Sequence, residues 1–93
     1  MLREAPPVTA THAPLGRARV GFRGRIAAIA AHGAESGIPS EELERRLIEL
    51  GFVEGAHVEI LHEGAFARDP IAVRVNNATI ALRRREAMAI LVA

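Results

Sequence analysis

Ile71-Ala72-Val73-Arg74-Val75-Asn76-Asn77-Ala78-Thr79-Ile80-Ala81-Leu82 is the stretch that decides the fold. Side chains alternate between faces along a strand, so a slip of one residue exchanges inside for outside. With Asn76–Asn77 as a two-residue turn, Val75 opposes Ala78, Val73 opposes Ile80 and Ile71 opposes Leu82, and apolar meets apolar at every pair. A three-residue loop would set the same side chains against polar positions. Asn also tolerates the positive φ that a type I′ turn requires. The sequence therefore predicts an antiparallel hairpin with one buried face.

Working outward, Asp69–Pro70 reads as the turn that introduces this hairpin. Before it, Ala56–His62 (AHVEILH) alternates, with Val58 and Ile60 on one face and His57 and Glu59 on the other. After it, Arg83–Ala87 suits a single helical turn and Ile90–Val92 a last short strand. Farther upstream, Glu41–Leu50 (EELERRLIEL) is an amphipathic helix: Leu43, Leu47 and Leu50 fall on one stripe and Ile48 widens it. Ser40 is placed to cap its first turn, and Glu41 and Glu42 complement the positive end of the dipole. Glu41–Arg45 and Glu42–Arg46 are i, i+4 pairs in the favourable order. Gly51 follows as a left-handed cap that folds Phe52 back over Leu47.

Two segments read less simply. Gly24–His32 (GRIAAIAAH) suits a helix by its alanines and a strand by its length and flanking glycines. Met1–Ala13 carries Pro6 and Pro7 without periodicity and reads as a flexible leader, leaving residues 14–93 as one domain. The sum is a mainly β chain of about five short strands, with one amphipathic helix between the first and second strands. Such a pattern suits a small closed or nearly closed barrel.

Composition narrows the function. A chain of 93 residues holds one domain, and 49% apolar residues suffice for one core. Aromatics are 3%, so the core is aliphatic and the stacking platforms of single-strand binders are missing. Every basic side chain is Arg, and the formal net charge of +1 describes a balanced protein, which argues against a nucleic-acid partner. There is no Cys, hence no disulfide or thiolate metal site. No apolar run approaches the roughly 20 residues of a membrane span, and the first residues lack the apolar core of a signal peptide. A cytoplasmic location is the expectation.

Side chains for bond chemistry are scarce. The serines are Ser36 and Ser40, and Lys, Tyr and Cys are absent, so an activated nucleophile would need a Ser–His pair that the spacing does not suggest. Asp69 is the only Asp, and Glu41 and Glu42 sit on the helix surface as solvated i, i+4 partners, so a paired-carboxylate site is not expected. Gly21-x-x-Gly24 lacks the lysine of a phosphate loop. The expectation is a binding module that is not an enzyme, with no catalytic, cofactor-binding or metal residues assigned and no cofactor. The sharpest metal candidate is His57 with Glu59 on one strand face, with His62 and Glu63 just beyond. A real site needs three or more convergent ligands, and two alternating residues on an outer face are usually solvated. Arg83–Arg85, with Arg45 and Arg46, reads either as a solvated rim or as a contact for an acidic partner surface.

Arg46–Val58 (RLIELGFVEGAHV) resembles the "RL.ELGF..G..V" core of the FeoA family, the ferrous iron transport A proteins. Asp69–Val75 (DPIAVRV) and Ala81–Ala87 (ALRRREA) resemble its "DP..(V)RV" and "ALRR.EA" segments, and Gly21–Ile26 (GFRGRI) its "G..G.I" first strand. The likeness runs from about Leu15 to Val92. It implies an SH3-like barrel, in which Gly24–His32 becomes a strand. It also implies a cytosolic accessory of ferrous iron uptake that binds and modulates FeoB, the GTP-binding membrane transporter, through protein–protein contacts, with self-association also allowed. Stand-alone metal-responsive or nucleic-acid-binding small barrels are the alternative. Similar barrels end iron-dependent repressors, but no DNA-binding helix pair precedes this one, so a complete repressor is not expected. The chain departs from the family in a longer Ala31–Pro39 loop, in Asn76–Asn77 where glycine is usual, and in one extra residue within Phe66–Pro70.

Overall fold

The computed structural model describes residues 12–30 and 38–93. Met1–Thr11 of the expected leader, the 31–37 part of the long loop, and Ser36 lie outside the described residues. Strand β1 is Ala13–Pro14, followed by a 3₁₀ turn at Leu15–Arg17; β2 is Arg23–Ile29, helix α1 Ser40–Glu49, β3 His57–Phe66, β4 Asp69–Val75, β5 Ala78–Leu82, helix α2 Arg84–Ala87 and β6 Ile90–Val92. The six strands pair antiparallel in the order β1-β6-β2-β3-β4-β5.

β2 is the corner of the barrel. Its first half, Arg23–Arg25, pairs with β3, and its second half, Ile26–Ile29, pairs with β6 across a bulge between Ile26 and Ala28. A bulge bends a strand and increases its twist, which lets one strand serve two sheets. The ambiguous segment is thus a strand as far as Ile29, because both of its edges are taken by partners; Ala31 and His32 lie outside the described residues. The β4–β5 hairpin has the register set by its apolar alternation: Val75 faces Ala78, Val73 faces Ile80 and Ile71 faces Leu82. Of the two turn residues only Asn76 takes a positive φ, at 55°, so the two-residue turn is not the type I′ expected, which needs it at both.

Several expectations need correction. The described residues hold six strands, because Ala13, placed at the end of the leader, pairs with Val92. The helix therefore follows the second strand. Asp69–Pro70 is not a turn but the start of β4; the chain reverses at Ala67–Arg68, both at φ 57°, and Phe66 pairs with Asp69. Asp69 is drawn into the strand end because its carboxylate accepts a 2.8 Å hydrogen bond from the Arg84 backbone N–H.

Ser40 does not cap α1. Pro39, extended at φ −53° and ψ 141°, occupies the cap position, and its carbonyl accepts the Leu43 N–H at 3.0 Å. Ser40 is already helical, and no side chain caps the turn. The buried stripe is also narrower than expected: Leu43 and Leu47 are buried, whereas Ile48 is 46% and Leu50 37% exposed. Phe52 covers the end of the helix in place of Leu50. The Phe52 N–H reaches the Leu47 carbonyl at 2.9 Å and the Gly51 N–H reaches Ile48 at 3.0 Å, the two bonds of the expected Schellman ending. Gly51 sits at φ +104°, and a Cβ there would lie 2.8 Å from Nδ2 of Asn76.

Leu15, Leu47, Phe52, Ile60, Ile71, Val73 and Ile90 form the centre of one core, aliphatic but for Phe52. Three short outer elements close over it: the 3₁₀ turn, α1 and α2.

Candidate functional site

The β2–β3–β4 face carries the residues singled out for metal binding. β3 presents His57 and Glu59 outward because Val58 and Ile60 turn into the core. Glu59 is opposite Arg23 on β2 and opposite Arg74 on β4. The Arg23 Nε stands 3.9 Å from its carboxylate, with the Arg23 side chain 78% exposed. Such a pair is weak, but it flanks the one carboxylate of the face with cations on both sides. A divalent cation approaching His57 and Glu59 would meet that positive flank.

His62 and Glu63 do not join them. Leu61 is an extra residue between the pairs Ile60–Val73 and His62–Ala72, and this bulge turns His62 to the outer face, farther along β3 than Glu59; among the described residues no third ligand gathers beside the pair. Glu63 faces the other way, toward α2, where it accepts a 2.9 Å bond from Arg84. Among the described residues no group of three or more His, Asp or Glu side chains gathers as a metal site would require. The face is an open groove of about 660 Å³ lined by Arg23, His57, Glu59, Arg74, Asn76 and Asn77 with neighbouring backbone.

The arginine run divides by role. Arg83 and Arg85 are exposed, whereas the Arg84 side chain is 19% exposed and fully engaged. Its Nε donates to the Arg68 carbonyl at 2.7 Å, Nη1 to Ala18 and Gly16 at 2.7 and 3.2 Å, and Nη2 to Glu63. One guanidinium therefore ties the 3₁₀ turn, the β3–β4 hairpin and α2 together. Gly16 lies against this knot: a Cβ there would collide with the Arg84 carbonyl and stand 2.9 Å from the Met88 nitrogen. The two-way reading of Arg83–Arg85 as rim or contact missed this role, since its partners are backbone carbonyls distant in sequence.

The i, i+4 pairs expected on α1 are not closed among the described residues. Arg46 turns instead to Glu86 of α2, 3.7 Å away, while the Glu86 carboxylate also accepts the Arg83 N–H at 2.9 Å. Arg46 thereby links the two helices by an ion pair at the surface. No buried side-chain nitrogen or oxygen among the described residues lacks a partner. The polar groups of the barrel are spent on structure, and what is left exposed is suited to contact.

Residues 13–93 match the model of the FeoA domain family. Among solved structures, the chain is similar to the FeoA protein from Chlorobium tepidum, 34% identical over 85% of this chain and 67% of that one, with a TM-score of 0.66. It is also similar to a Stenotrophomonas maltophilia FeoA complexed with zinc, 28% identical over 85% of this chain and 87% of that one, TM-score 0.68. That protein is described as an SH3 domain protein and a candidate ferrous iron transport activating factor. A manganese-dependent transcriptional repressor shares 26% identity over 88% of this chain and 41% of its own length, TM-score 0.69. No curated protein matches the chain.

Proposed function

Since the chain belongs to the FeoA domain family, we propose that it is a non-enzymatic accessory of ferrous iron uptake that binds the cytosolic portion of a FeoB-type GTP-binding transporter. The observation that carries this reading is the extent of the family match, residues 13–93, which takes in every strand of the barrel. A role in iron uptake follows from the family and from the S. maltophilia relative. Contact as the mode of action is supported by what the surface carries: an open groove lined by Arg23, His57, Glu59, Arg74, Asn76 and Asn77, and the exposed apolar side chains of Ile48, Val53 and Phe66.

The exposed groups favour a partner over a metal as the ligand. Glu59 is held between Arg23 and Arg74, and His57 is left alone beside it. Calorimetry of the chain with a FeoB cytosolic portion, with and without guanine nucleotide, tests the reading. Saturable binding, altered by the nucleotide, is expected; no heat in either state at roughly 0.1 mM protein, a concentration that detects even weak contacts, would overturn it.

A further inference from the structure

At the tip of the β3–β4 hairpin, Phe66 is 88% exposed, a large aromatic with nothing over it. Beside it opens a cleft of about 350 Å³ lined by Arg17, Arg19, Arg68 and Arg84. Those four arginines face two carboxylates, Glu63 and Asp69, both held by Arg84, so the tip is positive.

The opposite end of the molecule has the reverse character. Ile48 and Val53 are 46% and 42% exposed, and with Ile29 they floor two adjoining shallow grooves of about 270 and 160 Å³. Among the described residues Glu41, Glu44, Glu49 and Glu54 rim these grooves against Arg45, so this rim is negative. The β4 strand separates the two ends. Phe66 pairs with Asp69 at its start, and Gly51, which ends α1, packs beside Asn76 just past its last residue, Val75. Seven residues of strand span about 20 Å at roughly 3.3 Å each. The tip therefore cannot reach the groove of its own chain.

We propose that the Phe66 tip of one copy docks into the acid-rimmed Ile48–Val53 groove of another, so that the chain self-associates head to tail. The occupant is a second copy because both halves of the contact are present on one molecule, apolar matched to apolar and positive matched to negative. Repeated in one sense from copy to copy, the contact is heterologous and grows into rings or short filaments. One aromatic and a charged rim bury less than the roughly 1,000 Å² of a stable interface. The assembly is accordingly weak, and salt weakens it further. Transporter binding is independent of this contact, and either can fail without the other.

Sedimentation and amide NMR on the full chain over a dilution series, up to roughly 1 mM protein where weak contacts populate, test it. At low salt the average mass is expected to rise above the 10.0 kDa monomer. Resonances of residues 65–68 and 48–54 should shift together and return toward monomer values at high salt. Phe66→Ala and Ile48→Arg should each stay monomeric with unchanged melting; Val53→Arg replaces the latter if Ile48→Arg melts early. Mixing the tip variant with the groove variant should restore association that stops at one-to-one pairs, since each pair keeps one intact tip and one intact groove. A chain that is monomeric throughout, a Phe66→Ala variant that associates like the wild type, or a mixture that stays monomeric would overturn the proposal. So would a monomeric chain whose Phe66 signals move only on adding anionic phospholipid vesicles, which would assign the tip to a membrane surface.

Discussion

Arg84 concentrates at one residue what holds the ends of this chain together. Its guanidinium donates to three backbone carbonyls and to Glu63, and its own N–H is taken by Asp69. Hydrogen bonds from a charged donor contribute about 1.5–3 kcal/mol each when partly buried, and their loss is not additive. Arg84→Ala is expected to destabilise by roughly 2–3 kcal/mol, lowering the melting temperature by about 10–20 °C for a domain of this size. Arg84→Lys should recover little, because a point charge cannot reproduce the planar fork. Arg83→Ala and Arg85→Ala should stay within about 0.5 kcal/mol of the wild type. Urea denaturation of the four variants checks this; equal stabilities would mean that the knot carries nothing. None of it was legible in the sequence, where three consecutive arginines look alike. Only the pairing of distant loops distinguishes the middle one.

Among the elements, legibility followed periodicity. The β4–β5 hairpin could be registered residue by residue because three apolar pairs fix one face. The Schellman ending of α1 was readable because Gly51 and Phe52 are the residues that geometry demands. β1 is two residues long and so has no period to read. The length of β3 was hidden for another reason: the bulge at Leu61 breaks the alternation, and Ala67–Arg68 reverses the chain without Gly, Asn or Asp. Helix α1 supplies the test at this scale. Leu47 is 1% exposed and Ile48 46%, although they are adjacent and both aliphatic. Leu47→Asp should unfold the domain, since an unpaired buried charge costs several kcal/mol against a small margin. Ile48→Asp should melt within a few degrees of the wild type. Circular dichroism melts separate the two, and a tolerated Leu47→Asp would place this helix face on the outside.

At the scale of the whole molecule, the chain is a barrel whose polar groups brace its own loops. Glu63, Asp69 and Glu86 are engaged by Arg84, its backbone, and Arg46 or Arg83. The FeoA resemblance was legible because four short motifs, on β2, at the end of α1, along β4 and over α2, keep their order and spacing through the chain. The candidate metal pair was legible only as a pair, since the flanking arginines are supplied by other strands. What remains exposed is a groove on one face and two ends of opposite charge, on a chain placed in iron uptake by its family. The most direct test of that placement is uptake of radiolabelled ferrous iron by cells lacking this chain but retaining the transporter. Uptake is expected to fall and to return when the wild-type chain is supplied, but not when Leu47→Asp is. Uptake unchanged by removal of the chain would contradict the account.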